Sequence, residues 1–303
     1  MTRRAIIDIG TNTAHLLVGE IADGKLQVLT KKRHYTFLGE DGLEHISEGA
    51  IQRLRLALVD FDIIIKKWQC KNVHIIATEG LRRANNRADI ISIFDEIYRW
   101  NHTIISGHQE AEYIYRGTSQ SWQESDTPTL VVDIGGGSVE FILSDKGKII
   151  YQRSHPIGIS RLYDNFHQID PILEEDIHRM YDHLDEELIH LWTAIQGMSD
   201  APTLIGCAGT FEVLLQEKDQ MDEKVVSKKV PTTKLLSLLS SVIHKTIDER
   251  KIVSDLPPER ANYIVVALLL MNYIVKQLSA TTIVVSKYAL KEGAILDDDL
   301  FLD

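Results

Sequence analysis

The sequence predicts a duplicated α/β protein of two related domains, and three observations carry that reading. Residues 5–13 read AIIDIGTNT and residues 130–138 read LVVDIGGGS, so an apolar run, an Asp, Ile-Gly and three small residues occur twice. Alternation resumes after both, as AHLLVGE and VEFILSD, which makes each repeat a buried strand, a tight turn and a second strand folding back. Each half then passes from strands into alternating helices and strands, the order of an α/β architecture. A length of 303 residues suits two domains. They are expected at 1–124 and 125–303, with a cleft between the copies.

In the first half, AIIDIG, AHLLVGEI and KLQVLTKK read as three strands, the last two joined by the hairpin signal Asp23-Gly24. Residues 49–68 carry apolar side chains at helical spacing. Val73–Ala77 is a short β-like run, Glu79–Asn86 and Ala88–Trp100 read as helices, Thr103–Ile105 as a strand and His108–Ser119 as a helix. The polar stretch 120–129, QSWQESDTPT, is the expected junction and hinge. The second half restarts with the hairpin 129–143 and a third strand at 148–153. A long amphipathic helix is expected over 172–196, starting near Asp170-Pro171. Thr203–Ile205 is a strand leading into GCAGT. Helices follow at 232–248 and 257–279, then a strand at 281–286 and a short helix at 288–295.

Composition narrows the class. Hydrophobic residues make up 44% and charged residues 25%, the balance of an ordinary packed protein. Cys70 and Cys207 are the only cysteines and form no C-x-x-C pair, against a disulfide framework or a cysteine zinc site. The start MTRRAIIDIG runs straight into a strand and lacks the regions of a signal peptide. The longest apolar stretch, Ile264 to Met271, is too short to span a bilayer. A cytoplasmic protein without membrane attachment is expected. The formal charge of −11 argues against a broad nucleic-acid surface. A polyanionic ligand would have to be held by local donors, a few Arg and Lys, and metal.

The repeated turns supply such donors. A bend that needs Gly lets main-chain N–H groups point at an anion. Gly10, Thr11, Asn12 and Thr13 in one turn, and Gly135, Gly136, Gly137 and Ser138 in the other, would then grip a phosphate chain from two sides. Asp8 and Asp133 stand at the mouths of the turns, placed to hold a divalent cation or simply to cap them. Glu140 shares its strand face with Ile142, expected to be the core side, where a carboxylate wants a cation or a water. Glu110, by itself, reads as a first-turn helix acid. Ser106 and Gln109 have capping-box spacing, so that helix start is explained without it. Arg82 and Arg161 suit phosphate by their forked donors, or form surface ion pairs. Lys31-Lys32-Arg33 reads as a solvated strand end, and the twelve His show no zinc-ligand spacing.

Four further segments, ATEGLRRANN (77–86), ISGHQEAEYIYRG (105–117), VVDIGGGSVEFIL (131–143) and PIGISRLYDNF (156–166), complete a pattern. With the paired turns, they resemble the exopolyphosphatase and guanosine pentaphosphate phosphohydrolase family, in its short two-domain form. That family lies within the superfamily of actin, hexokinase and the heat-shock chaperone ATPases. The resemblance runs from about residue 5 to residue 295. It implies two ribonuclease H-like (actin-like ATPase) domains and a Mg2+-dependent hydrolase that removes the terminal phosphate of polyphosphate or guanosine pentaphosphate. A homodimer is left open. Position by position, Glu110 matches the family's catalytic carboxylate and Glu140 a second essential acid. Asp8 and Asp133 match the loop aspartates, taken with Glu140 as the metal set. Arg82, Gly158, Arg161, Gly206, Gly209 and Thr210 match further motif positions, of which Arg82, Arg161, Gly209 and Thr210 are expected at phosphates.

Several positions depart from the family pattern. Gln109 stands where many members have Glu, Glu79-Gly80 replaces a Ser-Ala pair, and His15, Phe37 and Lys291 stand where Arg is common. An acceptor-dependent kinase or ATPase of the same superfamily, and a non-catalytic phosphate or alarmone sensor, are the competing readings. GCAGT at 206–210 is open to reading as a nucleotide turn, whereas a pure binder gains nothing from acids facing a polyanion.

Overall fold

Both repeats form hairpins, and each hairpin is built into its own mixed sheet. The computed structural model describes residues 2–122, 127–215, 222, 225–253 and 256–302. Two units result, one of Met1–Gln120 with Tyr288–Asp303 and one of Ser121–Lys287. The junction expected between residues 124 and 125 lies outside the described residues.

In the first unit, β1 (Thr2–Ile9), β2 (Thr13–Ala22), β3 (Lys25–Tyr35), β4 (Asn72–Ala77) and β5 (Asn101–Ile104) form a sheet of order β3-β2-β1-β4-β5. The hairpin and third strand pair antiparallel, and β4 and β5 join in parallel. Helix α1 (Glu48–Lys67) starts at Ser47, whose hydroxyl accepts the Ala50 N–H at 3.2 Å. Its Leu54, Leu58, Phe61 and Ile65 recur at helical spacing and join Ala5, Ile7 and Ile9 in one core. Two shorter helices follow, α2 (Glu79–Arg83) and α3 (Arg87–Ile93). Thus α2 is shorter than the expected 79–86. The expected 88–100 helix widens to a π turn over Phe94–Tyr98 and ends at Arg99, which is left-handed at φ 53°.

Helix α4 (Gly107–Ser119) meets the C-terminal helix Leu290–Ala294 through two glycines. A Cβ on Gly117 would lie 1.9 Å from the Ala289 carbonyl oxygen, and one on Gly293 1.8 Å from that of Tyr113. The tail is also pinned by Arg4, which donates to the Ile295 carbonyl at 3.1 Å, pairs with Asp298 at 2.5 Å and lies 4.6 Å from the Phe301 ring centroid. The tail therefore packs with the first unit, whereas the sequence reading had assigned it to 125–303. Chain order alone does not carry these close backbone contacts. Gly293→Ala is expected to cost more than about 2 kcal/mol, because backbone rather than a flexible side chain must move. A thermal melt unchanged from wild type would refute that packing.

The second unit contains β6 (Thr129–Ile134), β7 (Val139–Asp145), β8 (Lys148–His155), β9 (Thr203–Cys207), β10 (Ser227–Pro231) and β11 (Thr282–Ser286), in the order β10-β11-β9-β6-β7-β8. The run β8-β7-β6-β9 repeats β3-β2-β1-β4 with the same strand directions. The helix Ile264–Leu278 is buried almost all round and shares a core with Val139, Phe141 and Leu143. Its start is later than 257 because Pro257-Pro258 opens a 3₁₀ turn first. The expected 172–196 helix is two helices, Glu174–Glu187 and Ile189–Gln196, interrupted where Leu188 adopts φ −101°, ψ 10°. The expected 232–248 helix ends at Val242, and Thr246 caps a new one over Ile247–Lys251 by accepting the Glu249 N–H. Edge strand β10 was not expected, since SKKVP is polar and carries a Pro. Among the described residues, no helix is long and apolar enough to cross a membrane.

Candidate active site

The two turns share one backbone design. Gly10 N–H donates to the Thr13 carbonyl at 2.9 Å, and Gly135 N–H to the Ser138 carbonyl at 3.0 Å. In each turn, carbonyls are tied back by the segment after the third strand. Thr11 O accepts from Gly39 N–H at 3.1 Å, and Asn12 O from Thr36 and Phe37 N–H at 3.0 and 3.1 Å. Gly135 O accepts from Ile159 N–H at 3.0 Å, Gly136 O from Ser160 N–H at 2.9 Å, and Gly137 O from Arg161 Nε at 2.9 Å. Bends of this kind can present main-chain N–H groups to an anion.

Glycine at 158 is forced by this arrangement. A Cβ there would sit 2.3 Å from the Gly136 oxygen and 2.4 Å from the Gly137 carbonyl carbon. Gly158 precedes helix α5 (Ile159–Phe166), so helix and turn are locked together. Arg161 is thus a turn anchor through its Nε. The GCAGT segment is likewise structural at several positions. The Thr210 hydroxyl donates to the Ile134 carbonyl at 2.7 Å, Arg260 donates to the Gly209 carbonyl, and Gly206 leaves room for the Phe211 ring, 2.1 Å from where a Cβ would stand.

The acids occupy equivalent register positions. Asp8 lies directly across from His15 in the β1–β2 ladder, and Asp133 across from Glu140 in β6–β7. The residue two positions before each cross-strand partner bonds to it: Thr13 Oγ1 lies 3.0 Å from His15 Nε2, and Ser138 Oγ donates to Glu140 Oε1 at 2.7 Å. His15 is therefore the first unit's counterpart of Glu140. The Ser154 hydroxyl also donates to Glu140 Oε1 at 2.7 Å. Glu140 is 2% exposed, but its face is not the one expected. Val139, Phe141 and Leu143 point into the main core, and Glu140 and Ile142 occupy the opposite face, which is also buried. Period-two alternation cannot rank two faces that are both covered.

In the first unit, Glu110 is 6% exposed on α4. Its Oε2 accepts from Arg82 Nη1 at 3.0 Å, and the same Nη1 donates to the Ile105 carbonyl at 2.6 Å. Arg82 also donates from Nε and Nη2 to Glu79 Oε2, at 3.2 and 3.0 Å. Helix α2, which carries both residues, lies against the first turn; a Cβ on Gly80 would be 3.2 Å from Thr11 Cα. Arg82, expected at a phosphate, is brought to two carboxylates. Burial weakens its charge, yet Glu110 and Glu79 more than offset this and raise its pKa.

Asp8 is half-buried, and its carboxyl is pushed up to about 7. Burial is the main cause, Lys291 opposes it and Glu292 adds to it. Glu292 itself is fully buried and receives Lys31 Nζ at 2.7 Å, Lys291 Nζ at 3.4 Å and the Ala289 N–H at 2.8 Å. Burial acts to raise Glu292, but Lys291 and Lys31 hold it below the ordinary range. Lys31-Lys32-Arg33 is exposed, as expected of a solvated run, and Lys31 also lies 4.6 Å from the Tyr288 ring centroid.

Hard oxygen donors are present for a cation. Asp133 and Glu140, 7% and 2% exposed, are cross-strand partners with side chains on one face. Asp8 is costly to ionise without a counter-charge. Among the described residues, no group of three or more His, Cys, Asp or Glu forms a metal cage.

The sequence profile of the Ppx/GppA phosphatase family matches residues 17–300. "Exopolyphosphatase 2" of Mycobacterium tuberculosis (strain ATCC 25618 / H37Rv) is 27% identical over 279 residues, covering 87% of each chain. The crystal structure of an exopolyphosphatase from Cytophaga hutchinsonii is 34% identical, covers 98% of both chains and gives a TM-score of 0.89. The Aquifex aeolicus member of the Ppx/GppA family is 25% identical over 99% of this chain and 98% of its own, with a TM-score of 0.79. The duplicated α/β fold expected from the repeat goes with these likenesses.

Proposed function

Because this chain belongs to the Ppx/GppA phosphatase family, we propose that it is a phosphoanhydride hydrolase releasing terminal orthophosphate from inorganic polyphosphate, with guanosine pentaphosphate as a further substrate. The observation that carries the reading is Glu110, a buried carboxylate held by Arg82 of α2, the helix that lies against the first turn. Phosphoanhydride hydrolysis needs an aligned water, neutralised charge and in-line positioning. Glu110 orients the attacking water and accepts its proton. The N–H groups of the first turn, with the hydroxyls of Thr11 and Thr13, hold phosphoryl oxygens, and the second turn does the same with Ser138. Mg2+, when bound, neutralises charge on the phosphate oxygens, and Asp8, Asp133 and Glu140 are the residues that would hold it. Both cysteines are buried and free, and burial pushes the Cys70 thiol up to about 11.

The decisive assay measures orthophosphate released from long polyphosphate, short polyphosphate and guanosine pentaphosphate, with Mg2+ or with EDTA. Release from polyphosphate is expected in Mg2+ and is expected to fall at least about 100-fold in EDTA, the scale of lost charge stabilisation at a reacting phosphoryl group. No release from any of the three would refute the reading.

A further inference from the structure

The Glu79–Arg82–Glu110 cluster contains one cation between two carboxylates. An arginine has five N–H donors. In Arg82 four are engaged: both on Nη1, by Ile105 O and Glu110, and one each on Nε and Nη2, by Glu79 Oε2. The Nε–Nη2 edge is the fork that grips a carboxylate or phosphate with two parallel bonds. Here both donors converge on a single oxygen of Glu79. The side chains are 14% exposed for Glu79, 21% for Arg82 and 8% for Glu110, so water does little to screen the contact.

We propose that Glu79 sets the affinity of the first unit for condensed phosphate: its carboxylate occupies the anion-binding edge of Arg82, in the place that a substrate oxyanion would take. This rests on the hydrolase reading for the identity of the anion. Two consequences follow. Glu79 adds a negative charge on α2, the helix that lies against the first turn, which disfavours a polyanion. Removing the Glu79 charge frees the fork without dismantling Glu110, because Nη1 keeps its bonds to Glu110 and Ile105. Glu79 is thus a specificity-determining residue that acts through Arg82, and its presence weakens ground-state binding. A merely structural role, as an acid in the first turn of α2, would make its loss harmful or neutral to binding.

The test uses Glu79→Gln, Glu79→Ser and the charge-retaining Glu79→Asp. Calorimetric titration with inorganic tripolyphosphate in EDTA reads binding without turnover, and steady-state kinetics on polyphosphate in Mg2+ reads KM and kcat separately. Glu79→Gln and Glu79→Ser are each expected to bind tripolyphosphate about tenfold tighter than wild type, the worth of a charge-assisted hydrogen bond gained. KM should fall by a similar factor while kcat stays level or declines. Glu79→Asp should remain near wild type. Equal or weaker binding by both neutral variants, or the same gain in Glu79→Asp, would overturn the proposal. If wild type releases no phosphate from polyphosphate and the neutral variants still bind tripolyphosphate more tightly, the hydrolase reading falls and this one stands.

Discussion

Glu110→Gln is expected to lower kcat on polyphosphate by about 1,000-fold, within the range that a general base contributes, while KM moves by less than about threefold. Gln has the same shape and keeps an oxygen to accept the Arg82 Nη1 donor now 3.0 Å from Glu110 Oε2. What it loses is the capacity to take a proton from water. The start of α4 is unaffected, because its cap is made by Ser106 and Gln109, with Ser106 N–H donating to Gln109 Oε1 at 3.0 Å and Gln109 N–H to Ser106 Oγ at 3.2 Å. Steady-state phosphate release separates the two parameters. Turnover at the wild-type rate would remove Glu110 from the chemistry.

Asp8→Asn is expected to abolish most activity and yet to stabilise the metal-free protein. The Asp8 carboxyl is moved from its ordinary 3.8 to about 7, chiefly by burial. Between those values the folded chain keeps a proton that the unfolded chain releases. Stability from this group is intact below about pH 4, is lost progressively as pH rises to about 7 and is level above that. The Asn variant escapes that loss. Its advantage should therefore open over the same window and reach on the order of 2–4 kcal/mol at pH 8. Mg2+ should narrow the gap by stabilising the wild type alone. Thermal melts at pH 4, 6 and 8, with EDTA and with Mg2+, measure this directly. A wild type as stable as the variant at pH 8 in EDTA would show that Lys291 already compensates the Asp8 charge.

The family resemblance singled out Glu110, which by itself reads as a first-turn helix acid; the sequence pattern alone determined the duplication, the hairpin at each repeat, the strand-then-helix order of each half and the placement of Asp8, Asp133 and Glu140. These are properties of local pattern: alternation, turn chemistry and a motif with a fixed offset from Asp to its cross-strand partner. Helix boundaries were less legible, since the capping by Thr246 and the Pro257-Pro258 turn break patterns that look continuous in apolar spacing. Tertiary structure decided everything that depends on partners distant in the chain. It assigned the last helix to the first unit through contacts of Gly117 and Gly293, put Lys31 on Glu292 and turned Glu140 away from the main core. It also gave Arg82 to Glu79 and Glu110. The physical reason is that charge, burial and close backbone approach belong to the neighbours a residue meets in space, and spacing along a chain does not encode who those neighbours are.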